Sequence, residues 1–322
     1  MTQICGKCRI KHVKAFRGFL TLSLCLLLGC GPNTPGHQTN LPDYNTPARS
    51  KGKRIKAQLT PGMEAAKKAH DTGHFREAIR LYNRELADEE AKHAPSWVQL
   101  SYLHSELGVT LVSSGQYNKA LEHHRKSLVI TLKQLGPEHP DVATRYNNIG
   151  LVHHLIGEYD KAQGNYQKSL AINLKQFGPE HSQVALSFNN IGGVHLQMGE
   201  YDKALERFQK ALAIQLNQLG PKHHDVAQSF NNIGGVHLQM GEYDMALEQY
   251  QKTLAIFLEK LDPEHPRVAT CYGNLALTYT AKKDLPKAKE HLGKAHVIFL
   301  KKLGPSHPKT KAIKAELDKL KE

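Results

Sequence analysis

From about residue 60 onward the chain repeats itself every 42 residues. Pro95, Pro137, Pro179, Pro221, Pro263 and Pro305 stand in one column, and Ala78, Ala120, Ala162, Ala204, Ala246 and Ala288 in another. An aromatic column runs Phe75, Tyr117, Tyr159, Tyr201, Tyr243 and ends in Leu285. Gly73, Gly115, Gly157, Gly199 and Gly241 each precede that column by two residues, and the stretches Asn189–Asp202 and Asn231–Asp244 are identical. A fixed period of this length is the mark of a solenoid, in which each unit is too small to bury its own apolar faces and does so against its neighbours.

Each unit reads as two helices. The first, Asp141 to Ile156 in one unit, follows Gly-Pro-Glu-His-Pro, with Pro140 in the first turn, where a missing N–H leaves no bond unmade. It stops near Gly157, a residue suited to the left-handed end of a helix. The second, Asp160 to about Phe177, carries Ala162, Tyr166, Ser169 and Leu170 at helical spacing and ends at Gly178-Pro179. Small Ala and Gly at the crossings let paired helices approach closely, while Tyr and Leu fill the space between units.

Gly150, Gly157, Tyr159, Ala162 and Tyr166 together resemble the tetratricopeptide pattern. The longer unit, with Asn-Asn-Ile-Gly and Leu-Gly-Pro-Glu-His-Pro-Asp-Val-Ala, is similar to the 42-residue kinesin-light-chain type. The resemblance spans about residues 60–305 and implies an all-α, right-handed superhelical solenoid of six helix–turn–helix repeats, with residues 306–322 as a polar C-terminal cap helix. It also implies that the first helices line a concave groove for an extended or helical peptide. By that resemblance the column Asn148, Asn190, Asn232 and Asn274 is expected to contact peptide backbone, with Asn147, Asn189 and Asn231 as a neighbouring row. An amide offers both a donor and an acceptor, so it can bracket a backbone without selecting a sequence. The same amides could instead tie helices to one another inside the array. Glu106 departs from the first row and Gly273 from the second. The next groove positions, Leu151, Gly193, Gly235 and Leu277, then His154, Leu196, Leu238 and Thr280, lack the Lys/Arg set that clamps a terminal carboxylate.

The first sixty residues have a different character. Lys7, Arg9, Lys11, Lys14 and Arg17 precede an apolar run from Phe19 to Leu28, followed by Gly29-Cys30. Ten helical residues rise ~15 Å, half of the ~30 Å hydrocarbon layer, so residues 1–29 read as a signal peptide core and not a membrane span. Leu27-Leu28-Gly29-Cys30 resembles the lipobox of bacterial lipoproteins, which implies cleavage before Cys30 and its acylation. Two or three acyl chains hold a protein stably at a membrane where one does so marginally. The alternatives are an ordinary secretory signal, or an uncleaved apolar leader in which Cys30 is incidental. Gly31 is not the Asp that resembles a retention signal in some lipoproteins, which favours the outer membrane. Residues 30–59, with Pro32, Pro35, Pro42 and Pro47 and a basic knot of Arg49, Lys51, Lys53, Arg54 and Lys56, read as a flexible tether.

Those two basic clusters account for most of the formal +13, so the repeat body gives no reason to expect a nucleic-acid partner. Cys5-x-x-Cys8 has no second ligand pair nearby. His139, His181, His223, His265 and His307 recur in loops before helices, where they read as caps or turn residues. His153, His195 and His237 recur on first helices, the last two in packing positions. Equivalent positions in successive units lie ~8–10 Å apart, too far to share one ion, and no metal is expected. No nucleophile–base pair, phosphate loop or carboxylate pair stands out, and neither catalysis nor a cofactor is expected. The sequence thus points to a non-catalytic, lipid-anchored scaffold of the bacterial envelope that binds a protein or peptide, its oligomeric state open. The alternative is an intracellular, cytoplasmic cargo adaptor like kinesin light chain. That family carries a heptad coiled coil ahead of its repeats, where this chain has the apolar leader and Pro-rich tether.

Overall fold

The computed structural model describes residues 57–320; the leader, Cys30 and the tether up to Lys56 lie outside the described residues. Thirteen α-helices and no strand occur among them, arranged as consecutive hairpins in the manner of a tetratricopeptide solenoid. They fall into two compact units, one ending at Gln218 and one beginning at Leu219. The first contains α1 (Pro61–Asp71), α2 (Phe75–Glu90), α3 (Trp97–Ser113), α4 (Tyr117–Leu135), α5 (Pro140–Leu155), α6 (Tyr159–Phe177), α7 (Ser182–Gln197) and α8 (Tyr201–Leu219). The second contains α9 (His224–Met240), α10 (Tyr243–Lys260), α11 (Pro266–Ala281), α12 (Leu285–Leu303) and α13 (Pro308–Lys319).

The hairpins start and stop where local chemistry dictates. His139, His181, His223, His265 and His307 have extended backbone just before α5, α7, α9, α11 and α13. In each, the ring Nδ1 accepts the N–H of the residue two further on, at 3.1–3.2 Å. This satisfies a helix N–H that has no partner within its own helix. The other end is closed by a left-handed turn. Gly157, at φ 81°, donates its N–H to His154 O at 3.0 Å, and Glu158 N–H reaches His153 O at 2.9 Å, the paired bonds of a Schellman stop. In the last hairpin the same two bonds form around Lys283, which holds φ 66° with a side chain attached.

The Ala column is the floor of each hairpin: Ala78, Ala120, Ala162, Ala204, Ala246 and Ala288 are all fully buried. Opposite it, the first helix offers a glycine to an aromatic ring of the second. A Cβ on Gly150 would lie 2.8 Å from the Tyr166 ring, one on Gly192 2.9 Å from Phe208, and one on Gly234 2.9 Å from Tyr250. The ring therefore packs against backbone, which brings the two helix axes together. Where the second-helix residue is Leu292, the first helix can carry Ala276.

Three hairpins, α5–α6, α9–α10 and α11–α12, are also closed at their open end by charge. Glu138 pairs with Lys175, and Glu264 with Lys301 at 2.5 Å. At the equivalent positions the signs are exchanged, Lys222 pairing with Glu259 at 2.9 Å. Exposed pairs of this kind add at most about 1 kcal/mol each. The reversal preserves the attraction in a hairpin where either substitution alone would produce repulsion.

Candidate functional site

Within the first unit α3, α5 and α7 lie side by side, so equivalent residues of successive first helices meet. Asn190 Nδ2 donates to Asn147 Oδ1 at 2.6 Å. In the second unit Asn274 Nδ2 donates to Asn231 Oδ1 at 2.7 Å. These are rungs of one pattern, an amide of one row bonding the other row 43 residues on. They give four of the seven asparagines an internal purpose. Asn274 is fully buried, so a ligand has no access to it in this structure, and Asn147 and Asn231 are also buried. Asn189 and Asn232 are half-buried, and Asn232 Oδ1 accepts Gln228 Nε2 at 3.1 Å.

Asn148 is different. The rung it would form leads to Ser105, but Ser105 Oγ is taken by Arg145 Nη1 at 2.6 Å. Asn148 is 7% exposed and makes no side-chain hydrogen bond with the described residues. Its amide atoms are not among the fully buried ones that lack a partner, so the amide reaches the surface, where a ligand backbone can bond it. One helix away, at the equivalent position, burial pushes the Glu106 carboxyl above its usual range, opposed by nearby Arg145 and Lys67. Leu151 and Leu196 are half-buried, while His154 and Gly193 are buried. Burial holds His154 down to about 4, hence uncharged at neutral pH.

The first-helix histidines serve the hairpins. His153, His195 and His237 are buried, and each Nδ1 meets the glutamate five residues on, Glu158, Glu200 or Glu242, at 2.5–2.6 Å. Because a carboxylate only accepts, the imidazole must donate there. Among the described residues, the one group of three close potential metal ligands is His223, His224 and Asp225. Its His223 Nδ1 accepts Asp225 N–H, which places the ring proton on Nε2 and leaves no lone pair for a cation while the cap is intact. Cys271, fully inside α11, has its thiol pushed up to about 12 by burial and is not a nucleophile.

A further periodic feature escaped the sequence reading. Tyr146, Phe188, Phe230 and Tyr272 form a 42-residue column on the first helices, and each ring lies beneath a lysine of the second helix. Lys168, Lys210, Lys252 and Lys294 stand 5.2–5.9 Å from the ring centroids. The constant spacing of 22 residues between ring and lysine was the available clue.

Hairpins of this size, joined by left-handed turns and linked by amides, define a helical repeat protein. A tetratricopeptide repeat family model matches residues 99–175, 146–217, 183–259 and 225–301, and the chain belongs to that family. No curated protein sequence matches the chain. Among solved structures, BtubC (BKLC) from P. vanneervenii is similar over 71% of this chain and 92% of its own, at 23% identity and a TM-score of 0.60. The nearly identical TPR-like repeats of a putative kinesin light chain from Podosopora anserina cover 63% of this chain and 97% of their own, at 24% identity and a TM-score of 0.54. The apo form of RapI covers 81% and 74%, at 17% identity and a TM-score of 0.58. At these identities the likeness is one of fold.

Proposed function

We propose that this chain is a non-catalytic scaffold whose first helices hold an extended or helical segment of a protein partner. We further propose that acylated Cys30 anchors it in the membrane of a bacterial envelope, with the outer membrane favoured. Tetratricopeptide arrays generally bind proteins. The observation that carries the peptide reading here is Asn148, an amide on α5 that makes no side-chain hydrogen bond with the described residues. Asn190, half-buried on the same column and in the same unit, extends the binding row beside its structural bond. The anchor rests on the order of basic stretch, ten-residue apolar run and Leu27-Leu28-Gly29-Cys30. No helix among the described residues is long and apolar enough to cross a membrane.

Capture from envelope extracts with the full chain, compared with Asn148→Ala, tests the row. The variant should lose its captured partner at least tenfold while its melting curve stays in place, because no internal bond is removed. Equal capture by both forms overturns the peptide-binding role of Asn148. For the anchor, the wild type should enter the detergent phase and Cys30→Ser should not; equal partitioning refutes acylation.

A further inference from the structure

One hairpin, α3–α4, carries buried histidines at two positions where its neighbours carry aromatic rings, and a third, half-buried histidine beside them. His104 stands in the column of Tyr146, Phe188, Phe230 and Tyr272; His124 in that of Tyr82, Tyr166, Phe208 and Tyr250; His123 in that of Asn165, Arg207, Gln249 and His291. His104 and His123 pack ring to ring, and His124 follows His123 on α4 within reach of its charge. His104 Nδ1 lies 3.0 Å from His123 Nδ1, their ring centroids 5.2 Å apart. His124 is 1% exposed, its ring pressed where a Cβ of Gly108 would stand, and its Nδ1 has no hydrogen-bond partner.

Two facing ring nitrogens 3.0 Å apart hold one shared proton well, and a second would put like charges in contact. The groups around them do not offset that charge. Lys126 faces both His104 and His123, with Glu122, its own ion-pair partner, beside it on α4. Glu90, the last residue of α2, reaches His123. From α5, Arg145 faces His124. The only acids in reach are thus one carboxylate already paired to a lysine and one at a helix end. Burial first, then neighbouring positive charge, holds His104 down to about 4 and His124 to about 3.

We propose that the α3–α4 hairpin is an acid-sensitive joint, opening before the rest of its unit when protons enter the His104–His123–His124 cluster. The sign follows from linkage. A histidine held below its unfolded value of about 6.5 stabilises the fold while neutral, and that contribution is lost as pH falls from about 6.5 toward the folded value. In a repeat array each hairpin contacts only its neighbours, so opening one in the middle detaches α1–α2 from α5 onward without unfolding either. The device thus uncouples α1–α2 from the helices that carry the binding row.

The test is hydrogen exchange on the full chain between pH 7 and pH 4, corrected for the intrinsic pH dependence and read by mass spectrometry. Peptides from residues 97–135 should lose protection about one pH unit or more above those from residues 182–218. The triple variant His104→Tyr, His123→Asn, His124→Tyr copies Tyr146, Asn165 and Tyr166 of the next hairpin, and should abolish that gap. If the triple variant does not fold, His124→Tyr alone, which faces Gly108 as Tyr166 faces Gly150, should narrow the gap. Simultaneous loss of protection in both regions of the wild type overturns the proposal, as does a gap unchanged in the folded variant.

Discussion

Substituting Gly150 by alanine separates two effects that usually travel together. Alanine in a helix interior is worth about 1 kcal/mol more than glycine through backbone entropy alone. At Gly150 the new Cβ would sit 2.8 Å from Tyr166 Cδ1 and Cε1 and 3.3 Å from the Ala162 carbonyl. Carbon atoms prefer about 3.5–4.0 Å, so α5 and α6 must part or the ring must turn. Tyr166 is fully buried and has no room to turn. Overpacking of this kind costs about 1–3 kcal/mol, so the net change is a loss on the order of 1 kcal/mol. Gly164, inside α6, is the control, for a Cβ there meets nothing within 4 Å. Gly164→Ala should therefore stabilise by about 0.5–1 kcal/mol. Urea unfolding followed by circular dichroism reads both midpoints, and the two variants should move in opposite directions. Adding Tyr166→Leu to Gly150→Ala recreates the Ala276–Leu292 pair of the last full hairpin and should relieve the clash, though less ring surface is then buried. A Gly150→Ala protein stabilised as much as Gly164→Ala would refute the close-approach account of the hairpin.

Lys283→Gly removes a left-handed side-chain conformation at the α11–α12 turn and should raise stability by about 1 kcal/mol, seen as a higher melting temperature; no gain would mean that the Lys283 backbone is not strained. His181→Ala deletes the acceptor for Gln183 N–H and should cost about 0.5–2 kcal/mol, whereas His181→Asp should keep most of it. Equal losses for the two substitutions in chemical denaturation would show that packing of the imidazole, not its capping bond, matters there.

The period of 42, the hairpin in each unit and the tetratricopeptide character were legible in the sequence because repetition makes local signals reinforce one another. The helix expected over Asp141–Ile156 is Pro140–Leu155, and that expected from Asp160 is Tyr159–Phe177. The loop histidines, read as caps or turn residues, act as N-caps because their Nδ1 is the acceptor nearest the free helix N–H groups. Periodicity could not say which way an amide points. Asn147 and Asn148 are adjacent in one helix, yet the first accepts a hydrogen bond from α7 while the second makes none with the described residues. Nor could it show that the unremarked column from Tyr146 to Tyr272 would lie beneath lysines, or that His104 and His123 would share a contact 3.0 Å long.

By itself, then, the sequence determined what recurs: helix lengths, their stops and caps, and the small residues at the crossings, all of which depend on neighbours within a few positions along the chain. Tertiary packing decided what each recurring position touches. Residues 37 or 43 apart meet only when helices are laid side by side, and a single deviation such as Arg145, Lys222 or His124 then changes who bonds to whom. The chemistry available to a partner or a proton resides in those exceptions, and the distances between helices set it.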